Sequence, residues 1–274
     1  MNILIVGLAK TGTTGISKNI ENSMENTKYF LEPKNVYFTA NPEHSRSNNI
    51  VKILFEHWNQ TPHLRQALIK NETNMKFDKI VYIVRDPRDN LISRLFYAIH
   101  PMIRARKDIE KAKLDEWVSL VEQKENNPKD VPFSSLMDVF YKLFKMDIYN
   151  SIDIYKQYFN FIDKNGENGF IIKYEDFIDR KLDKLSEYLG FDISDNDDVG
   201  DALSRTVRSK AYNNWKHLFT QKDIPIMKQK FNANLLAKYD YTDWSLDENP
   251  VFAPSEGSLY IKNLILDAIA KNNA

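Results

Sequence analysis

Five consecutive residues, Lys10-Thr11-Gly12-Thr13-Thr14, offer an ammonium, three hydroxyls and a glycine within one short stretch. That set suits an anion with several oxygens, provided the backbone aims its free N–H groups at one point. Ile3-Leu4-Ile5-Val6 just upstream reads as a buried parallel strand, and the residues from Thr13 onward read as the first turns of a helix. A strand entering a helix through a glycine turn leaves unpaired N–H groups and the positive helix end pointing together, which is a phosphate cradle. Gly7 and Gly12 have Walker A spacing, but Thr13 stands where that motif has its lysine. This order disfavours an ATP or GTP kinase.

A second candidate set is Arg85-Asp86-Pro87-Arg88-Asp89, which follows the apolar run Ile80–Val84. In an open parallel sheet ligands bind beyond the carboxyl ends of strands, so Arg85 is expected in the same crevice as Lys10. Its planar fork gives paired, charge-assisted hydrogen bonds to a phosphate dianion. Ser93 lies eight positions later, about two turns into the next helix. Asp86, Arg88 and Asp89 read as a solvated ion-pair cluster that caps this helix.

Together these segments resemble the sulfotransferases that use 3′-phosphoadenosine 5′-phosphosulfate (PAPS). The 5′-phosphosulfate loop of that family, K-[ST]-G-T-T after the first strand, is matched by Lys10–Thr14. Its strand ending in R-[DN]-P-[RK]-D, with a serine eight residues on, is matched by Arg85 and Ser93. A third signature, R-K-G-x-x-G-D-W-K-x-x-F-T, is matched at Arg208, Trp215, Lys216, Phe219 and Thr220. Here Ser209 replaces the lysine, Lys210 the first glycine and Asn213-Asn214 the Gly-Asp pair, with Lys210 able to restore the charge. Phe170–Phe177 is similar to the family strand ending in Y-E-D, and Phe231–Trp244 to its closing helix and exit.

The resemblance implies a P-loop NTPase-like sulfotransferase fold, PAPS as donor, 3′,5′-adenosine diphosphate (PAP) as product and no metal. It implies that Lys10, Thr11, Gly12, Thr13 and Thr14 hold the 5′-phosphosulfate. Arg85, Ser93, Arg208 and Lys210 would then serve the 3′-phosphate, with Tyr174 near the adenine. Lys10, Glu32, Lys52 and Ser93 are the expected catalytic residues. The small-molecule branch of the family takes its general base from a histidine in a K-T-H strand end, whereas this chain has Lys52-Ile53-Leu54. The glycan-modifying branch uses a glutamate in a K-E-P-type stretch, and Phe30-Leu31-Glu32-Pro33 is similar. Glu32 is therefore the expected base, with His57 in reserve. A carbohydrate or small-molecule acceptor is implied. An ATP-dependent small-molecule kinase and a catalytically inactive nucleotide-binding module remain alternatives.

Composition sets further bounds. The 274 residues carry 38 basic and 38 acidic side chains, so the net charge is zero and the chain lacks the positive field of a nucleic-acid binder. With no cysteine, disulfides and thiol chemistry are excluded, and the five histidines show no close metal-ligand spacing. No membrane span or cleaved leader is visible from Met1, which leads to the expectation of a cytoplasmic enzyme without a membrane partner.

The expected architecture is a single α/β domain over 1–274, with a central parallel sheet flanked by helices. Further strands are expected at Lys28–Pro33 and Ile50–Phe55, with the loop 42–49 between them and a helix over 62–76. Segment 101–132 is dense in charge and is expected to be either a lid over the acceptor or a plain solvated helix. One long aromatic-rich helix is expected over 133–164, its aromatic stripe facing the core, and another from Asp179 to a C-cap at Gly190.

Overall fold

The computed structural model describes residues 1–33, 47–59, 70, 72, 74–106, 108–196 and 198–273. Most of the helix expected over 62–76 and of the loop expected over 42–49 lies outside the described residues; of the former, 70, 72 and 74–76 are described and none is helical, and of the latter, Asn48 and Asn49 already belong to a strand. The chain divides into two compact units, Met1–Arg85 with Gln157–Ser204, and Asp86–Lys156 with Arg205–Ala274.

The first unit holds one parallel sheet of β1 (Asn2–Gly7), β2 (Thr27–Leu31), β3 (Asn48–Leu54), β4 (Lys79–Val84) and β5 (Phe170–Lys173), in the order β2-β3-β1-β4-β5. Every neighbouring pair is parallel. Continuous apolar runs form β1 and β4 because central parallel strands are covered on both faces; Ile3 to Val6 have no solvent exposure. Building proceeds to one side of β1 through β3 and then to the other through β4, so the carboxyl end of β1 is the switch point at which open parallel sheets bind ligands. The α/β class and the parallel sheet thus agree with expectation.

Helix α1 (Thr13–Asn22) follows β1 and buries Ile16 and Ile20. The part of helix Asn150–Asn165 belonging to this unit sets Tyr158 and Phe161 against Phe55, with ring centroids 5.2 Å apart in both pairs. Gly190 caps Asp183–Leu189 with φ 85°, as the sequence leads one to expect.

The second unit is helical. Its core stacks Phe96 on Phe252 and sets Trp117 edge-on to Phe140. Asp223 accepts from the amides of Phe133, Ser134 and Thr220 and from both hydroxyls of Ser134 and Thr220, so one buried carboxylate caps helix Phe133–Phe144. The helix over 133–164 is in fact two, Phe133–Phe144 and Asn150–Asn165. Lys145 turns left-handed at φ 58°, its amide bonds the Tyr141 carbonyl, and Asp147 takes the Tyr149 amide in an Asx turn that competes with helix continuation. Most of the expected aromatic stripe is buried, but Tyr141 is 53% exposed.

Within 101–132, helix Lys111–Asn126 buries Leu114, Trp117, Val121 and Lys124. The Lys124 ammonium donates to the carbonyls of Pro128 and Val131, pinning the turn that follows. A last helix, Ser258–Asn273, extends the fold past the exit segment Phe231–Trp244, of which only Ala233–Ala237 is helical.

Candidate functional site

The loop between β1 and α1 is built by close approach. A Cβ on Gly7 would lie 2.5 Å from Thr13 Cγ2 and 2.9 Å from Thr11 Oγ1, so only glycine lets β1 end against the helix start. Lys10 and Gly12 both take positive φ, 67° and 84°. Thr11 is fully buried, and its hydroxyl donates to the Leu8 carbonyl at 2.8 Å. Its hydroxyl therefore shapes the loop from within. Glu56, in the 3₁₀ turn Phe55–Asn59, accepts the Ala9 amide at 2.9 Å and ties the loop to the end of β3.

Beside the loop, Arg85 leaves the end of β4 and donates from Nη1 to the Lys10 carbonyl at 3.1 Å. Its guanidinium carbon lies 4.2 Å from the Tyr174 ring centroid. Tyr174, the first residue after β5, also presses on the loop, since a Cβ on Gly12 would overlap its Cδ2 and sit 2.6 Å from its Cε2. On the other side Lys52 points from β3 to Thr14, its Nζ 3.2 Å from the hydroxyl, and to Glu32, 2.8 Å from Oε1. Glu32 follows β2 directly with φ 51°, and this left-handed turn ends the strand and brings the carboxylate back over β3. Its other oxygen, Oε2, lies 3.5 Å from His57 Nδ1. The two candidate bases, Glu32 and His57, are thus neighbours, and the Glu32 carboxylate lies between Lys52, 4% exposed, and His57, largely open to solvent.

The first unit accordingly gathers Lys10, Thr11, Gly12, Thr13, Thr14, Glu32, Lys52, His57, Arg85 and Tyr174 at one end of its sheet. Such a set can bind an anionic group on backbone amides, surround it with three cations and present a carboxylate to an incoming nucleophile. Ser93, Arg208 and Lys210 belong to the second unit. There Ser93 is buried on helix Pro87–Tyr97. Arg208 lies over Phe96, one turn further along that helix, and donates to the Glu256 carbonyl at 3.2 Å. Lys210 is exposed.

The reading of Arg88 and Asp89 as solvated needs correction. Both are buried, Arg88 at 2% exposure and Asp89 at none. Arg88 pairs with Asp86 through Nε and Nη2, donates to the Asp243 carbonyl and stacks between Trp215 and Trp244, 3.9 and 4.7 Å from their centroids. Asp89 accepts the Trp215 amide at 3.0 Å. Desolvation of the cluster is compensated by indole faces and by partners more than 120 residues away. Trp215, one of the motif residues, is therefore part of this cluster.

Sequence reasoning also missed Glu56 and Tyr158. The Tyr158 hydroxyl is shared between the carbonyls of Val6 and Ile83, at 2.9 and 3.0 Å, and so pins the ends of β1 and β4 together. No local signal separates this tyrosine from its aromatic neighbours. Among the described residues no group of three or more His, Asp or Glu side chains is arranged to hold a metal ion, and no helix is long and apolar enough to cross a membrane.

No curated protein sequence matches the chain. Among solved structures, the mouse sulfotransferase SULT7A1 complexed with PAP is similar at a TM-score of 0.49 and 16% identity, over 88% of this chain and 85% of that one. A family model for the sulfotransferase domain matches residues 1–249, from β1 through the exit segment after Ala233–Ala237. The chain belongs to the sulfotransferase domain family.

Proposed function

We propose that this sulfotransferase moves the sulfuryl group of PAPS to a hydroxyl or amine of a carbohydrate or other small acceptor, by in-line displacement that releases PAP. In support, the Lys10–Thr14 loop, Lys52 and Arg85 come from three adjacent strands and line one end of the sheet. The amides at the start of α1 and the Thr13 and Thr14 hydroxyls take the 5′-phosphate. Arg85 takes the 3′-phosphate. Ser93, Arg208 and Lys210 are assigned to that phosphate by motif alone.

In the transfer, the acceptor oxygen forms a bond to sulfur while the bond from sulfur to the bridging oxygen breaks, and its electron pair leaves with PAP. Lys10 neutralises the charge that grows on that bridging oxygen. Lys52, held between Thr14 and Glu32, would stabilise the negative charge of the group in flight. The acceptor proton passes to Glu32, with His57 alongside at 3.5 Å. Catalysis of this kind is alignment and charge stabilisation, which fixed cations and amides supply.

Calorimetric titration with PAP, 5′-AMP and ATP, each with and without magnesium, tests the donor. Micromolar PAP binding that needs the 3′-phosphate and is indifferent to magnesium is the expected outcome. A preference for ATP with magnesium sinks the proposal in favour of a kinase. Tight PAP binding without turnover of PAPS across an acceptor panel would indicate an inactive binding module.

A further inference from the structure

Tyr174 touches two parts of the nucleotide machinery at once. Its ring blocks the space a side chain at position 12 would need. The same ring carries the Arg85 guanidinium at 4.2 Å, within cation–π range and on a residue pair only 6% and 5% exposed. Arg85 is also fixed at its tip, through the Nη1 bond to the Lys10 carbonyl. The guanidinium is thus held over a ring on one side and by the loop backbone at one nitrogen. Gly12 makes this possible, since any larger residue would push the ring off the loop and away from the arginine.

We propose that Tyr174 is a positioning residue that sets the preference for a 3′-phosphorylated nucleotide by holding Arg85 in place, instead of a surface that the adenine reads. The proposal rests on the donor reading given above. An arginine carries several rotatable bonds, and a guanidinium that must be ordered anew for each ligand loses part of its binding energy to side-chain entropy. Stacking on a buried ring removes that loss, and it does so only for the phosphate that Arg85 meets. The 5′-phosphate, assigned to α1 and Lys10, should not register the change, because Thr11, Glu56 and the close approach at Gly7 hold that loop without the ring. The face of the ring carries the effect, so the phenolic hydroxyl is dispensable.

The test compares dissociation constants for PAP and 5′-AMP in wild type, Tyr174→Phe, Tyr174→Leu, Arg85→Ala and the Tyr174→Leu/Arg85→Ala double variant. Tyr174→Leu is expected to weaken PAP by about tenfold, from the loss of one buried cation–π contact, and to leave 5′-AMP unchanged. Tyr174→Phe keeps the wild-type ratio. In the Arg85→Ala background, Tyr174→Leu adds no further loss for PAP. An equal loss for both nucleotides in Tyr174→Leu, or an additive loss in the double variant, overturns the proposal and returns Tyr174 to an adenine-binding or purely structural role. Unchanged 5′-AMP affinity doubles as the folding control for the leucine variant. If wild type itself does not distinguish PAP from 5′-AMP, the donor reading falls first and this one with it.

Discussion

Lys52 and Glu32 are joined twice: the Lys52 ammonium donates to Glu32 Oε1 at 2.8 Å, and the Glu32 amide donates to the Lys52 carbonyl at 2.8 Å. The backbone bond fixes the left-handed turn after β2, and the side-chain bond fixes the carboxylate relative to Lys52 and, through it, Thr14. Altering either side chain removes the hydrogen bond that orients the other. Lys52→Met and Glu32→Gln are each expected to lower kcat/KM by about 10²- to 10⁴-fold, the range for losing a charge-stabilising donor or a positioned acid–base group. The double variant should fall little below the worse single one, because residues that act as a unit are not additive. Steady-state sulfation assays on the four proteins decide this, and full additivity would mean that the two act independently.

Arg88 is a stability residue. Arg88→Met leaves the buried Asp86 carboxylate without its cation and is expected to cost about 3–5 kcal/mol of unfolding free energy. Urea titration of wild type and variant measures it. A change below about 1 kcal/mol would put Arg88 in the class of surface ion pairs.

Gly12→Ala combines two faults, a left-handed φ of 84° and a methyl group inside the Tyr174 ring. The backbone fault alone is worth about 1 kcal/mol. The steric fault displaces the ring or the loop, so PAP binding should drop by at least about tenfold, beyond what a stability loss of that size produces. Thermal melting and PAP calorimetry on the same preparation separate the two effects.

Burial pushes the Lys124 ammonium down to about 8, against the pull of Asp223 and Asp130. Below that pH both folded and unfolded chains hold the proton, and the fold bears the cost of a buried charge. Between about 8 and 10.5 the unfolded chain binds the proton and the folded one does not, so stability rises with pH. Wild type should gain on Lys124→Met by roughly 1.4 kcal/mol per pH unit across this window. Urea unfolding at pH 7, 8, 9 and 10 shows it, and a flat difference would refute a depressed lysine.

Much of the first unit is legible in the sequence because its determinants are local. The apolar run, the glycines and the threonines that make β1, the loop and α1 all lie within neighbouring residues, and β4 with Arg85 repeats the pattern. Glu32 and Lys52 could be named through resemblance to the family's K-E-P and K-T-H stretches, although their mutual hydrogen bonds could not. What resisted reading depends on distant partners. The burial of Arg88 follows from Trp215, Trp244 and Asp243, and no feature near position 88 announces them. Tyr174 was expected near adenine through resemblance, and its contact with Gly12 requires the loop's three-dimensional course. The break at Lys145 falls within an unbroken aromatic periodicity, and a single left-handed residue overrides that pattern. Helix Ser258–Asn273 lies beyond residue 249, where the family match ends.

The Lys10–Thr14 loop takes its shape from bonds within the chain: Thr11 amide and hydroxyl to the Leu8 carbonyl, Ala9 amide to Glu56, and Gly7 closed against Thr13. These contacts do not wait for a ligand, so PAP binding is expected to be a one-step encounter. The observed association rate then rises linearly with nucleotide concentration without reaching a plateau.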